Sequence, residues 1–321
     1  WQFDDISREY TFPDKEAAGM GLAIGDVNDD GRFDVFLADE NRLFVTGPGG
    51  KLHEIQPGTF VKPERGKKEA HACGAAFGDL NGDNLLDLVT TEHGQPCNIH
   101  VYMNRGVKNG DPEFVSTTAA CNVNQTIPKT GITDQPLKTA HVSLQDFDND
   151  GRVDIYLPIL MKGTDGTLQP LVLRNEGNNG STPRFEPIPT DRLIVYYAPG
   201  PATDYDRDGK IDVFLPTWFT NAPSVLFRNV SEGNQHWLTV RVKGEQVPFN
   251  SMGIGATVRL FAAGGAGDPK QFLGRRDISV GNGYSSGEEA LGFFGLGSAA
   301  KCDVEVAWFG RKRVLRDVPA D

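Results

Sequence analysis

The chain has 321 residues, a formal net charge of −11, 38 glycines, 20 prolines and 4 cysteines. Its basic residues form no stripe and no apolar run approaches the length of a membrane span, which argues against nucleic acid, anionic lipid surfaces and a transmembrane segment. The length supplies ample core for one large or two smaller domains, and the glycine and proline content suits a fold rich in turns.

The chain opens on "WQFDDIS", without Met or a basic-then-apolar leader, as expected of a mature secreted protein with its signal removed or of a trimmed chain. "FDDIS" (3–7) has the form of a closing strand supplied from the wrong end of the chain. The apolar run "GMGLAIG" then leads into "DVNDDGRFD" (26–34), followed by the β-prone "DVFLA" and "RLFVT". The same order returns three times. "CGAAFG" leads into "DLNGDNLLD" (79–87), then "DLVTT" and "IHVYMN"; "AHVSLQ" leads into "DFDNDGRVD" (146–154), then "DIYLP" and "LVLRN"; "APGPAT" leads into "DYDRDGKID" (204–212), then "DVFLP" and "VLFRN". Short strands separated by Gly, Asn and Pro turns fit every segment, and no window sustains a 3.6-residue period. The expected fold is all-β: a β-propeller of four such units, each an antiparallel sheet of about four strands, plus a C-terminal β unit that is a fifth blade or a small sandwich.

Each acidic loop places carboxylate or amide oxygens at positions 1, 3, 5 and 9 and a Gly or Asn at position 6. Crowded carboxylates repel unless a cation sits among them, and calcium takes six to eight oxygens in irregular geometry. The expected ligands are Asp26, Asn28, Asp30 and Asp34 with the Arg32 carbonyl; Asp79, Asn81, Asp83 and Asp87 with the Leu85 carbonyl; Asp146, Asp148, Asp150 and Asp154 with the Arg152 carbonyl; and Asp204, Asp206, Asp208 and Asp212 with the Lys210 carbonyl. Asn84 replaces the position-6 glycine and tolerates left-handed backbone. An EF-hand is excluded, because its position-12 glutamate is replaced by Leu37, Thr90, Leu157 and Leu215. Four structural Ca²⁺ ions would offset most of the −11 charge.

Between the loops, Cys97 and Cys121 bracket a hairpin excursion and are the first choice for a disulfide, with buried free thiols as the alternative. Asn124, Asn179 and Asn229 head glycosylation sequons. Strand ends opposite the loops differ from copy to copy, the usual placement of a binding site. There His71, Glu92, His93, Tyr196, Tyr197 and Trp218 are candidate ligand-binding residues, aromatic surface beside titratable groups. Packing between blades is the plainer role for the aromatics, and hydrogen-bonded core positions for His71 and His141. "GNGYSSG" (281–287) lacks the order of a nucleophile elbow and reads as a turn. The expected function is a binding module for an extracellular protein, a glycan or a small molecule. The alternative is an enzyme, a hydrolase or a cyclase working by substrate shaping, in a pocket opposite the loops.

The pattern D-x-[DN]-x-[DN]-G-x-x-D between small-residue and β-rich strands, over residues 15–232, resembles the FG-GAP (VCBS) repeat of integrin α chains and some fungal lectins. "NQHWLTVRVKG", "NSMGIGATVRLF", "ISVGNGYSSGEEALGFFGLG" and "CDVEVAWFGRKRVLRDV" resemble the ASPIC/UnbV region that follows such repeats. The resemblance implies a secreted, calcium-bound scaffold, with repeats over 1–234 and an ASPIC/UnbV-like β region over 235–321.

Overall fold

The computed structural model describes residues 2–5, 19–56, 58–61, 71–93, 98–126, 140–188, 190–246 and 249–321. Among these, strands dominate. Sheet one joins β1 (Gly19–Gly25), β2 (Asp34–Asp39), β3 (Arg42–Thr46) and β4 (Leu52–Glu54) in that order. Sheet two repeats it with β5 (His71–Gly78), β6 (Asp87–His93), β7 (Ile99–Lys108) and β8 (Asp111–Ser116). A single helical turn, α1 (Val123–Thr126), precedes sheet three. There β9 (Ser143–Gln145), β10 (Asp154–Gly163), β11 (Leu168–Asn179) and β12 (Thr182–Pro187) keep the order, and β13 (Thr190–Tyr196) adds to the far end of β10. Sheet four is reduced to β14 (Ala202–Thr203), β15 (Asp212–Leu215) and β16 (Val225–Phe227).

Every acidic loop is the turn between the first and second strands of its sheet. Position 9 is the first residue of the second strand in all four, so the ligand spacing and the strand register are set together. Alternating side chains of neighbouring sheets interlock. Phe36, Leu43 and Val45 of sheet one meet Ala75, Leu88 and Tyr102 of sheet two. Val89, Val101 and Met103 meet Ile155, Leu157 and Leu173 of sheet three, and Tyr156 and Val172 meet Val213 and Leu215 of sheet four. Each interface is a continuous apolar core, the dominant source of cohesion between sheets.

The C-terminal part forms two sheets over one shared core. β17 (His236–Val240) pairs with β20 (Gly292–Gly297), and β18 (Thr257–Ala262) lies between β19 (Phe272–Asp277) and β21 (Lys301–Trp308), with β22 (Arg311–Pro319) outside. Val258, Leu260, Val304, Phe294 and Leu296 fill the space between them. From this unit the segment 277–291 reaches the first strand of each sheet, or the residue that follows it. The Asp277 carboxylate accepts from the Asp26 amide at 3.0 Å, and the Gly283 amide donates to the Ala75 carbonyl at 2.7 Å. Ser143 donates to Glu288, and Thr203 to Glu289. Gly283 is required here: its φ is +72°, and a Cβ would lie 2.1 Å from Nδ1 of the buried His141.

Three expectations differ from what is found. Residues 3–5 of the "FDDIS" phrase form no strand and Phe3 is exposed, while residues 6 and 7 lie outside the described set. Cys121 is a buried free thiol, like Cys302, so the bridge to Cys97, itself outside the described residues, is not formed. Burial pushes the Cys121 thiol up and that of Cys302 to about 11, which keeps both protonated and unreactive. Two sequon asparagines are committed inside the fold. The Asn124 side-chain amide donates to the Ile99 carbonyl at 2.7 Å, and that of Asn229 to the Phe147 and Ile211 carbonyls; Asn179 is exposed.

Candidate metal centres

The four loops share one backbone path. Position 4 is left-handed in each, at Asp29 (φ 57°), Gly82 (75°), Asn149 (59°) and Arg207 (61°). Position 6 is left-handed too, at Gly31 (83°), Asn84 (71°), Gly151 (88°) and Gly209 (86°), so Asn84 does what its glycine counterparts do. The double reversal turns the amides of positions 5 and 6 back onto the position-1 carboxylate. Asp26 accepts from Asp30 and Gly31 at 2.9 and 2.8 Å, Asp79 from Asp83 and Asn84 at 3.1 and 2.8 Å, Asp146 from Asp150 and Gly151 at 3.2 and 2.8 Å, and Asp204 from Asp208 and Gly209 at 3.1 and 3.0 Å.

The position-9 carboxylate ties the loop to its own sheet. Asp34, Asp87, Asp154 and Asp212 accept from the position-2 amide at 3.0, 3.0, 3.0 and 3.2 Å. Their second oxygens accept from third-strand or adjoining amides at Thr46, Asn104, Asn175 and Asn229, at 2.8, 2.9, 2.8 and 2.7 Å. Three of those residues form a staple that the sequence reading missed. The Asn104 side chain donates to the Val27 carbonyl in the loop of the preceding sheet, Asn175 to Leu80 and Asn229 to Phe147, at 2.8, 2.9 and 2.7 Å. The same amides also reach position 8 of their own loops. One side chain thus binds strand, loop and neighbouring loop together.

Charge is handled locally as well. Where position 3 is Asp, the residue before the staple asparagine is Arg: Arg174 pairs with Asp148 and Arg228 with Asp206, both at 2.7 Å. Where position 3 is the neutral Asn81, that residue is Met103. At position 7, Arg32, Arg152 and Lys210 donate to the carbonyls of Thr46, Asn175 and Ser231, at 2.8, 2.8 and 2.6 Å.

The donor set suits a hard divalent cation. In loop three, oxygens of Asp146, Asp148 and Asp154 lie within 4.8 Å of one another, and in loop four so do those of Asp204, Asp206 and Asp208. In loop one, Oδ1 of Asn28, a position-3 ligand atom, is buried with no hydrogen-bond partner. Burial, reinforced by neighbouring carboxylates, pushes Asp26 and Asp79 up to about 6, Asp34 and Asp146 to about 7, and Asp87 and Asp154 well above the ordinary carboxylate range. Backbone donors alone leave these carboxyls short of compensating positive charge, which a calcium ion would supply. Asp26, Asn28, Asp30 and Asp34, and the equivalent sets in the other loops, would hold the ion.

The C-terminal unit lies across these loops. Arg275 donates to the Asp26 and Asn84 carbonyls at 2.9 and 3.0 Å, and Arg259 to Asn84 Oδ1 at 2.9 Å while pairing with Asp29. Gly295 leaves room for loop three, since a Cβ there would fall 2.1 Å from Oδ2 of Asp146. Trp237 covers Gly209 of loop four, where a Cβ would fall 2.0 Å from Nε1. Burial holds Arg276, in the same sheet, below the ordinary arginine range.

At the opposite strand ends, His71 and His93 are register partners, as are Ala72 and Glu92. Glu92 is buried and accepts from Asn98 and His100, both at 2.8 Å. Trp218 is exposed, whereas Tyr197 is buried in the core between sheets three and four. Tyr196 pairs with Ile159 in the ladder. The side chains of His71, His93 and Tyr196 lie outside the described set.

Comparison with known proteins agrees with this layout. The FG-GAP-like repeat profile matches residues 26–90 and 79–157, and the ASPIC and UnbV profile matches residues 246–321. Cartilage acidic protein 1 of Xenopus tropicalis is 26% identical over 310 residues, covering 95% of this chain and 44% of its own length. The chain therefore spans less than half of that relative. Loop four, at 204–212, lies outside the matched repeats. No helix among the described residues is long and apolar enough to cross a membrane. The chain carries FG-GAP-like repeats followed by an ASPIC and UnbV domain.

Proposed function

We propose that this chain is an extracellular binding module, a β-propeller whose four sheets are blades closed and covered by the C-terminal unit, and whose four loops each hold one structural calcium ion. Residues 1–234 form the repeats and 235–321 the cover. The observation that carries the reading is the repetition: four loops with two left-handed residues at the same positions and the same two carboxylates bound by the same amides. Solvated surface turns have no reason to share that path four times. The contact of segment 277–291 with each sheet in turn supports a common centre.

Calcium bound to the native state would stabilise it by an amount that grows with the logarithm of the ligand excess over Kd. The far ends of the same strands, at the strand positions of His71, His93 and Tyr196 and around the exposed Trp218, supply the recognition surface for a protein, glycan or small molecule. Melting the protein in calcium and in EDTA tests the metal reading. A Tm lowered by more than about ten degrees and restored by calcium is expected. A melting curve indifferent to chelator would refute it.

A further inference from the structure

A cavity of about 510 Å³ lies at the loop end, between the first strands of the sheets and the C-terminal unit. One wall is apolar, with Ile24, Phe77, Leu86 and Leu144 from the sheets. Trp237 and Phe293 stack at 6.0 Å and 8°, giving a flat aromatic side from the C-terminal unit. Its volume falls within the range of small-molecule pockets, and this mixture of apolar surface with a few charges is their usual chemistry.

Most charged groups on the remaining wall are accounted for, with Arg276 and Arg207 as exceptions. Asp277 is held by Arg275 at 3.0 Å and by the Asp26 amide. Glu288 accepts from Ser143 and from Asn282, the latter at 3.2 Å; Glu289 pairs with Arg241 and accepts from Thr203. Arg276 gives its Nε to the Phe293 carbonyl at 3.3 Å, and among the described residues no carboxylate lies within ion-pair distance of its guanidinium. Arg207, exposed on the rim, also has no ion pair among the described residues. Glu288 acts on Arg276 from a distance, but with no direct ion pair the guanidinium fork is left open to the carboxylate of a ligand.

We propose that this cavity binds a small organic acid, with its carboxylate on Arg276 and its apolar body between Leu144 and the Trp237–Phe293 stack. The planar guanidinium fork matches a carboxylate bidentately. Three carboxylates on the same wall disfavour a dianion such as phosphate and select a singly charged acid. The site is separate from the surface at the far strand ends, and neither depends on the other.

Dansylglycine and its neutral amide, each titrated into the full chain in calcium and followed by dansyl fluorescence, test the proposal. The acid should bind saturably at one site and at least about tenfold more tightly than the amide. Arg276→Gln should weaken the acid by about tenfold and leave the amide unchanged, with Arg276→Lys between the two. Arg207→Gln, a rim change that leaves the core intact, should weaken the acid a few-fold. Equal affinity for acid and amide, no binding of the acid, or full binding by a folded Arg276→Gln would each overturn the assignment. Should Arg276→Gln not fold, the acid–amide comparison in the unaltered chain decides.

Discussion

Loops three and four follow the same backbone path in different surroundings. In loop three Asp146 is buried with Gly295 pressed against it, and Asp148 and Asp150 are half-buried. In loop four Asp204 is half-buried, Asp206 and Asp208 are exposed and only three short strands stand behind them, although the position-9 carboxylates Asp154 and Asp212 are both buried. The amide-to-carboxylate bonds are nonetheless the same in both. The turn is therefore specified locally, by the left-handed residues and the position-1 and position-9 carboxylates. Burial adds a separate demand: the deeper the carboxyls, the more the fold depends on a cation to keep them ionised. Loop three should be an integral part of the structure, and loop four the site where metal exchanges most readily.

The position-9 carboxylates give the largest contrast. Asp154→Ala strands the buried amides of Phe147 and Asn175 and removes a ligand, and should cost about 4 kcal/mol in denaturant unfolding. Asp212→Ala makes the same change in the more open loop and should cost about 1–2 kcal/mol. Equal losses would show that burial does not separate the two loops.

The next effect is on pH dependence beneath the C-terminal segment. His141 is buried, and desolvation lowers its pKa from 6.5 to about 4; its Nδ1 accepts the Tyr284 amide, which also favours the neutral ring. The unfolded chain then binds more protons between those values. Stability from this group is complete above pH 6.5 and is lost as the pH falls towards 4, by up to about 3 kcal/mol. His141→Asn keeps an acceptor for the amide and should remove that part of the acid sensitivity, measured by unfolding in excess calcium from pH 7 to 4.5. A variant with the original acid slope would assign the slope to the carboxylates instead.

The staples should show the smallest difference. Asn175→Ala leaves the Leu80 and Val153 carbonyls without their donor in a buried site and should cost about 2–3 kcal/mol, against about 1 kcal/mol for Asn229→Ala beside the open loop. Urea unfolding of the two variants gives both values.

Much of this was legible in the chain before folding. Loop, ligands and following strand lie within about a dozen residues, so their spacing alone carries the geometry. The staple was not, because the carbonyls that Asn104, Asn175 and Asn229 bind lie in the preceding sheet's loop, 77, 95 and 82 residues away. Its trace was present all the same, in the recurring "MNRG", "RNEG" and "RNVS" and in the Arg that accompanies Asp at position 3. The loop-end cavity was hidden for a different reason. Arg276, Trp237 and Phe293 enter it only because the C-terminal sheets dock on the loops, and that docking rests on single contacts such as Gly295 on Asp146 that no periodicity reveals. Tyr197 shows the converse. Its place in the variable strand ends marked it for a surface, and the fold put it between two sheets.

Calcium bound in the four repeated loops should hold the sheets together. Calorimetric titration of calcium into chelator-stripped protein, repeated on Asp148→Ala and Asp206→Ala, tests it most directly. Four sites per chain are expected, one fewer in each variant, with the loop-four site the weakest. No calcium uptake, or an unchanged count in both variants, would contradict it.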